Sequence, residues 1–280
     1  MMPFLDLSMR IMERRDVPKI IQMLASQGWV VDERILQPYF DLDPSTSFVA
    51  EIEDQIVGCV NSLMFGEVAW LGNLVVAEPL RKRGIGTALT IAAAKACELK
   101  GAKSIVLNSV PEAVTLYERT GFRGFVQLER FAGFVEKKVG NAEKCEVGDL
   151  TGLDAKLHGY DRSRVLHNVL DGAYVVKCRC GDNVGFAAAK TVGNKILVGP
   201  ILTTQPEERL YLRLLSCVIE PFPKDIHVKL EVPLINPPAM NACATSGLKE
   251  TRLNLIMVRG KEIKSDYTRI GAIATDGDLG

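Results

Sequence analysis

The sequence has no net charge, since 34 basic side chains offset 34 acidic ones across 280 residues. A chain without an overall basic field lacks the means to hold nucleic acid or an anionic lipid surface non-specifically, so neither is expected as a partner. It has no apolar run approaching the ~20 residues that span a bilayer. Its most apolar helical stretch is interrupted by Lys95, and an integral membrane protein is not expected. The opening MMPFLDLSMRIMERRD carries acidic residues early and lacks a basic-then-apolar export signal. Cysteine is present but unorganised. Seven residues, an odd number without a disulfide framework, fit reduced thiols in the cytoplasm. Cys178 and Cys180 have no C-x-x-C spacing, and His158, His167 and His227 show no ligand or triad spacing, so no metal is expected.

What is present is 47% hydrophobic residues and enough length for two domains at roughly 100–200 residues each. A short strand near Met9 to Met12 precedes Asp16 to Gly28, where a capping residue, an early Pro18, apolar residues at helical spacing and a terminal glycine predict an amphipathic helix. Ser47 to Glu51 and Ile56 to Leu63, either side of Glu53 and Asp54, predict an antiparallel hairpin, with Ala69 to Val76 as a third strand. Thr87 to Lys100 reads as a long helix, Ser104 to Leu107 as a buried strand, and Pro111 to Arg119 as a second helix. The order is that of a mixed α/β domain with a twisted mixed sheet flanked by helices.

The chain also repeats itself. Val57-Gly58 corresponds to Val184-Gly185, 184 − 57 = 127, and Pro79 corresponds to Pro206 at the same offset, while Gly121 and Gly247 are 126 apart. A period this long indicates a duplicated domain, because solenoid repeats run to about 20–50 residues. Residues 1–140 and 141–280 are the expected halves, joined by a connector over Gly140 to Asp149.

The strongest local signal is the end of the third strand, Leu74, Val75 and Val76, followed by Arg81-Lys82-Arg83-Gly84-Ile85-Gly86-Thr87. Glycines let backbone N–H groups approach a ligand, a helix N-terminus adds partial positive charge, and three cations supplement both, so the turn suits a pyrophosphate. The sequence has no G-x-x-x-x-G-K-[ST], and the loop lacks the third glycine of the dinucleotide fingerprint.

Arg81-x-x-Gly84-x-Gly86, with Ala113-Val114-Thr115-Leu116-Tyr117 and Gly121-Phe122 at the matching distance, resembles the GNAT family of N-acetyltransferases. Gln27-Gly28-Trp29, Phe40 to Pro44, Gly159 to Ser163 and Val198-Gly199-Pro200 further resemble a tandem subgroup whose second half is a divergent copy. The resemblance implies acetyl-CoA as cosubstrate, held by the loop and by Tyr117. Where that family usually has an asparagine, three residues before the Ala, this chain has Val110, and Asn108 is the nearest amide.

Acetyl transfer to an amine requires a neutral nucleophile, a polarised carbonyl and a proton for the departing thiolate. Glu67, ahead of the third strand, is the candidate carboxylate base; a surface turn role is the alternative. The resemblance implies a backbone N–H near Val76 as oxyanion donor. It also implies Tyr117 as the acid toward sulfur, with packing as its alternative. The second half's equivalent loop, Thr203 to Leu210, has no glycine and carries Glu207 and Glu208, and Cys243 stands where Tyr117 does. This half is expected not to bind coenzyme but to shape the acceptor site, with Tyr160, Asp161 and Arg162 as substrate-binding candidates. Asp161 could equally cap the following helix. The expected activity is acetyl transfer to a primary amine of a small-molecule or peptide acceptor. Transfer of a larger acyl group to an amino acid, and a non-catalytic acyl-CoA-binding module, are the alternatives.

Overall fold

A computed structural model describes residues 7–29, 33–135 and 141–274. Residues 1–6, at the head of the stretch searched for an export signal, and Gly140, at the expected boundary, lie outside the described residues.

The first half runs β1 (Leu7–Ile11), α1 (Val17–Ala25), α2 (Glu33–Leu42), β2 (Phe48–Ile52), β3 (Gln55–Phe65), β4 (Val68–Val76), α3 (Ile85–Leu99), β5 (Ser104–Ser109), α4 (Val114–Arg119) and β6 (Arg123–Gly133). The second repeats the order: β7 (Glu143–Cys145), α5 (Val147–His158), α6 (Ser163–Val169), β8 (Tyr174–Cys180), β9 (Asn183–Val192), β10 (Lys195–Thr203), α7 (Glu208–Val218), β11 (His227–Pro233), α8 (Pro237–Thr245) and β12 (Lys249–Gly260), followed by a short β13 (Ile270–Ala272). β4 and β10 match at both ends with the offset of 127 expected from the repeat.

Local sequence explains most of these elements. α1 carries Pro18 in its first turn, where a missing N–H costs nothing, and buries Val17, Ile20, Met23 and Leu24 at three- and four-residue steps. α3 buries Ile85, Leu89, Ala93 and Cys97, a stripe at four-residue steps. It starts two residues earlier than its sequence pattern suggests, because Gly84 takes the N-cap position. α2 is absent from the sequence reading, since Pro38 inside it interrupts the helical pattern.

The sheet order is β1-β2-β3-β4-β5-β12-β6-β11-β10-β9-β8-β7, with β13 against β10. The last strand of each half is therefore exchanged: β12 of the second half pairs with β5 of the first, and β6 of the first pairs with β11 of the second. β6 and β12 meet antiparallel at the centre, where Leu128 faces Asn254. These two residues are repeat counterparts, 254 − 128 = 126, so a pseudo-twofold axis passes between them.

The exchange also joins the cores. Met12, Ile20, Trp70 and Val106 of the first half pack in one cluster with Leu150, Leu157, Val165 and Tyr267 of the second. Trp70 is wholly buried and its indole N–H donates to the Tyr160 hydroxyl at 2.9 Å. Behind Tyr160 lies a buried ion pair in which Arg162 donates to Asp154 through Nε at 2.7 Å and Nη2 at 2.8 Å. Burial opposes ionisation of Asp154, yet the Arg162 charge, nearby His158 and the hydrogen bonds from Arg162 hold its carboxyl below the usual range. His158 is fully buried between Tyr160 and Tyr267. Burial first, and the Arg162 charge second, push its pKa down to about 3.

Two outcomes follow from this architecture. Residues 1–140 and 141–280 produced separately should each fail to give a cooperatively folded monomer, because each leaves an inner strand without its neighbour, whereas co-expression should give a 1:1 complex. Circular dichroism with size-exclusion chromatography checks this, and a folded isolated half would contradict it. Second, the unfolded chain takes up a proton at His158 below about pH 6.5 that the folded chain refuses, so stability falls with pH in that window. The expected loss from this group is about 2 kcal/mol between pH 7 and pH 5, and His158→Phe should remove it, as read by urea unfolding at the two pH values.

Candidate functional site

β4 and β5 pair in parallel only over Val68–Leu71 and Ser104–Leu107. Beyond these pairs the two strands part, and the turn from β4 into α3 stands at the mouth of the gap. Lys82 and Gly84 both take left-handed backbone conformations, φ 61° and 87°. Left-handed residues alternating with ordinary ones curl N–H groups into a concave surface that suits an anion. Glycine adopts this freely, whereas Lys82 carries some strain. No side chain among the described residues caps α3, which leaves its first-turn N–H groups open beside this concavity. Lys82 and Arg83 are exposed beside it. Arg81 folds back, donating through Nε to the Val76 carbonyl at 3.1 Å and through Nη2 to Gln27 beyond α1.

Gly86 marks where the elements converge. A Cβ there would stand 3.1 Å from Leu116 of α4, 3.7 Å from Val76 and 4.0 Å from Leu74. Thr87, half-buried, follows in the first turn of α3, and Ile85 anchors that turn in the core. Tyr117, next to Leu116, is buried with its ring edge-on to Phe122 at 5.8 Å. Across the gap β4 has a bulge: Gly72 faces Asn61 and Val75 faces Cys59, so Asn73 and Leu74 share one partner. Asn73 sits at φ 53° and both polar atoms of its buried side chain lack partners among the described residues. The bulge turns the backbone just ahead of Val75 and Val76, in the stretch expected to supply the oxyanion N–H. Cys59, beneath it, donates to the Asn73 carbonyl at 3.4 Å, and burial pushes its thiol up to about 12, so it is not a nucleophile at neutral pH. Asn108 is the first residue of β5 past the last β4–β5 pair. A concave N–H surface, flanking cations and parted strands together fit a pyrophosphate with an extended arm.

Of the residues singled out from sequence, Leu74, Val75, Val76, Arg81 to Thr87, Asn108 and Tyr117 are brought together. Glu67 is not. It lies at the start of β4, about 30 Å from Val76 at ~3.3 Å per strand residue, exposed and ion-paired to Lys103. Tyr160 and Arg162 lie in the joint core described above. Asp161 is exposed and accepts from the Ser163 N–H at 2.8 Å at the start of α6. A separate cavity of about 690 Å³ lies where α2 meets the second half, lined by Glu33, Gln37, Asp41, His167, Asp171 and Lys190.

The second half's corresponding gap is filled from within. β10 and β11 pair only over Lys195–Leu197 and His227–Lys229. Past these pairs β13 lies antiparallel on β10, the Ile273 N–H donates to the Glu231 carbonyl at 3.0 Å, and Thr203 N–H donates to Arg269 O at 3.1 Å. Asn236, three residues before Ala239, donates to Ile270 O at 2.9 Å. The fit is close: a Cβ on Gly199 would stand 1.8 Å from the Ile273 carbonyl oxygen. This self-occupation was not legible in sequence, nor was the burial of Asn73, Glu231 and Asn254. Polar residues inside otherwise apolar strands, as in LGNLVV and KLEVP, were the available signal.

Comparison with known proteins agrees with this geometry. Residues 17–122 match the Acetyltransferase (GNAT) family and residues 150–271 match an Acetyltransferase (GNAT) domain. The chain is 23% identical over 260 residues to the holothin acyltransferase of Pseudoalteromonas sp. (strain SANK 73390), covering 89% of this chain and 87% of that one. It shares its fold with a Pyrococcus horikoshii protein described as an acetyltransferase, at TM-score 0.83, 18% identity and coverage of 100% and 98%. It also shares the fold of a tandem GNAT protein from the clavulanic acid biosynthesis pathway, at TM-score 0.63, 14% identity and coverage of 91% and 98%. With both halves matched, an acyl-CoA is the cosubstrate the fold implies, no helix among the described residues is long and apolar enough to cross a membrane, and the chain is an N-acyltransferase belonging to the GNAT family in its tandem form.

Proposed function

We propose that the protein is an acetyl-CoA-dependent N-acetyltransferase that transfers directly to a primary amine, with one coenzyme site per chain in the first half. The observation that carries this reading is the inequality of the two gaps. One opens onto a basic, glycine-punctuated turn, and the other is closed by β13 behind Glu207 and Glu208.

When bound, the cosubstrate supplies an activated acyl thioester, and the chain supplies the rest. N–H groups of residues 82 to 87 with Lys82 and Arg83 hold the pyrophosphate. Leu74, Val75, Val76 and Asn108 line the arm's channel. A backbone N–H at the bulged end of β4 polarises the carbonyl. The Tyr117 hydroxyl donates its proton to the departing sulfur. Glu67 has no part in this scheme because of its distance, and the amine loses its proton through water in the gap. Direct transfer is supported by Cys59, the thiol beneath the bulge, being held protonated. The related protein is named for acylation, not acetylation, so acyl chain length is tested with the acceptor.

Calorimetry with acetyl-CoA should give one site per chain, and two sites would reject the assignment of the second half. Tyr117→Phe should lower turnover on the order of 10²-fold, with coenzyme affinity nearly intact, in a thiol-release assay across small amines, amino acids, polyamines, aminoglycosides and peptides. Binding without turnover of any amine would favour a non-catalytic acyl-CoA-binding module.

A further inference from the structure

One buried carboxylate near the coenzyme gap has no part in the chemistry above. Glu231, on β11 of the second half, is 1% exposed. Its Oε1 accepts from Arg130 Nε at 2.9 Å and Nη2 at 2.5 Å and from Asn254 Nδ2 at 2.8 Å, while Oε2 accepts from Asn108 Nδ2 at 2.5 Å. The four residues come from β11, β6, β12 and β5, the strands that the exchange places side by side. Burying a carboxylate and an arginine is expensive, and such pairs contribute little net stability compared with apolar packing. The cluster therefore invites a functional account.

An ionised carboxylate can only accept hydrogen bonds. Asn108 must turn its NH₂ toward Glu231, which leaves its Oδ1 facing the other way, and no alternative amide orientation satisfies both groups. That oxygen is buried and has no partner among the described residues. It belongs to the first β5 residue past the last β4–β5 pair, where the strands part. An unpaired buried acceptor there asks for an N–H donor from the ligand, and the pantetheine arm of coenzyme A carries amide N–H groups. The register adds a second argument. Asn108 faces Ile256, and Glu231 faces Arg130. Ile256 and Arg130 are repeat counterparts, 256 − 130 = 126, so Asn108 and Glu231 occupy the same place in the two halves.

We infer that Glu231 is a positioning residue: the divergent half supplies the carboxylate that fixes Asn108 as an acceptor for an arm N–H, and so completes the coenzyme site of the first half. This rests on the coenzyme site proposed above and goes beyond it by making the second half part of that site.

The test compares acetyl-CoA with 3′-phospho-ADP, the same coenzyme without its arm, by calorimetry on the full chain. Failure of wild type to bind acetyl-CoA would overturn the site itself and this inference with it. If wild type binds, Glu231→Gln should weaken acetyl-CoA about tenfold, the scale of one hydrogen bond, and leave 3′-phospho-ADP within about twofold, because that fragment meets only the loop. Asn108→Ala should show the same selective loss, and the double variant should be no weaker than either single one. Glu231→Gln removes the negative charge opposite Arg130, so Arg130→Met with Glu231→Gln serves as a second, charge-free variant should the first not fold. Unchanged acetyl-CoA affinity, equal loss for both ligands, or additive losses in the double variant would overturn the positioning role.

Discussion

Inner strands of a sheet need a hydrogen-bonded neighbour on each side, and β5 and β11 find theirs in the opposite half. That single requirement shapes the rest of the molecule. Because β12 lies against β5 and β6 against β11, thirteen strands form one sheet, the cores merge around Trp70 and Tyr160, and the halves cannot be treated as beads on a string. It also carries residues of the second half to the edge of the first half's gap, which duplication without exchange would not do.

The two gaps show how one backbone geometry serves opposite ends. In both halves the middle parallel strands pair for a few residues and then part. Parting exposes main-chain groups that must be satisfied. In the first half the turn that follows is basic and left-handed at two positions, a surface suited to a ligand with phosphates and an extended arm. In the second half the chain's own β13 meets them, and Asn236 holds a main-chain carbonyl of that segment. The second gap thus differs from the first in occupancy as well as in charge at Glu207 and Glu208.

Some of the strain and unsatisfied polarity among the described residues borders the first half's gap. Lys82 and Asn73 hold backbone conformations unusual for residues with a Cβ, and Asn73 and Asn108 keep buried amide atoms without partners among the described residues. Such features persist only when the surrounding packing over-determines them, and both lie where the ligand is expected. The Asp154–Arg162 pair is different in kind. Its groups are mutually satisfied, remote from the loop, and belong to the junction between halves.

Much of this was legible in the sequence: the duplication, the mixed α/β order, the start of α1 near Pro18, and a basic, glycine-punctuated turn leading into a helix, all of which rest on local periodicity or short-range turn chemistry. Residues close in sequence report such features directly, as Gly84 and Gly86 do. The placement of Glu67 was not legible, because a strand carries its two ends far apart regardless of their nearness in sequence. Neither was α2, where Pro38 masks the helical pattern, nor the packing of Tyr160 and Arg162 into a shared core. The sequence by itself determined two copies of one fold with unequal chemistry. Only the tertiary structure decided that their last strands trade places, that β13 fills one gap, and that Glu231 reaches Asn108, since each depends on hydrogen bonds between residues about 70 to 150 positions apart, which no local pattern encodes.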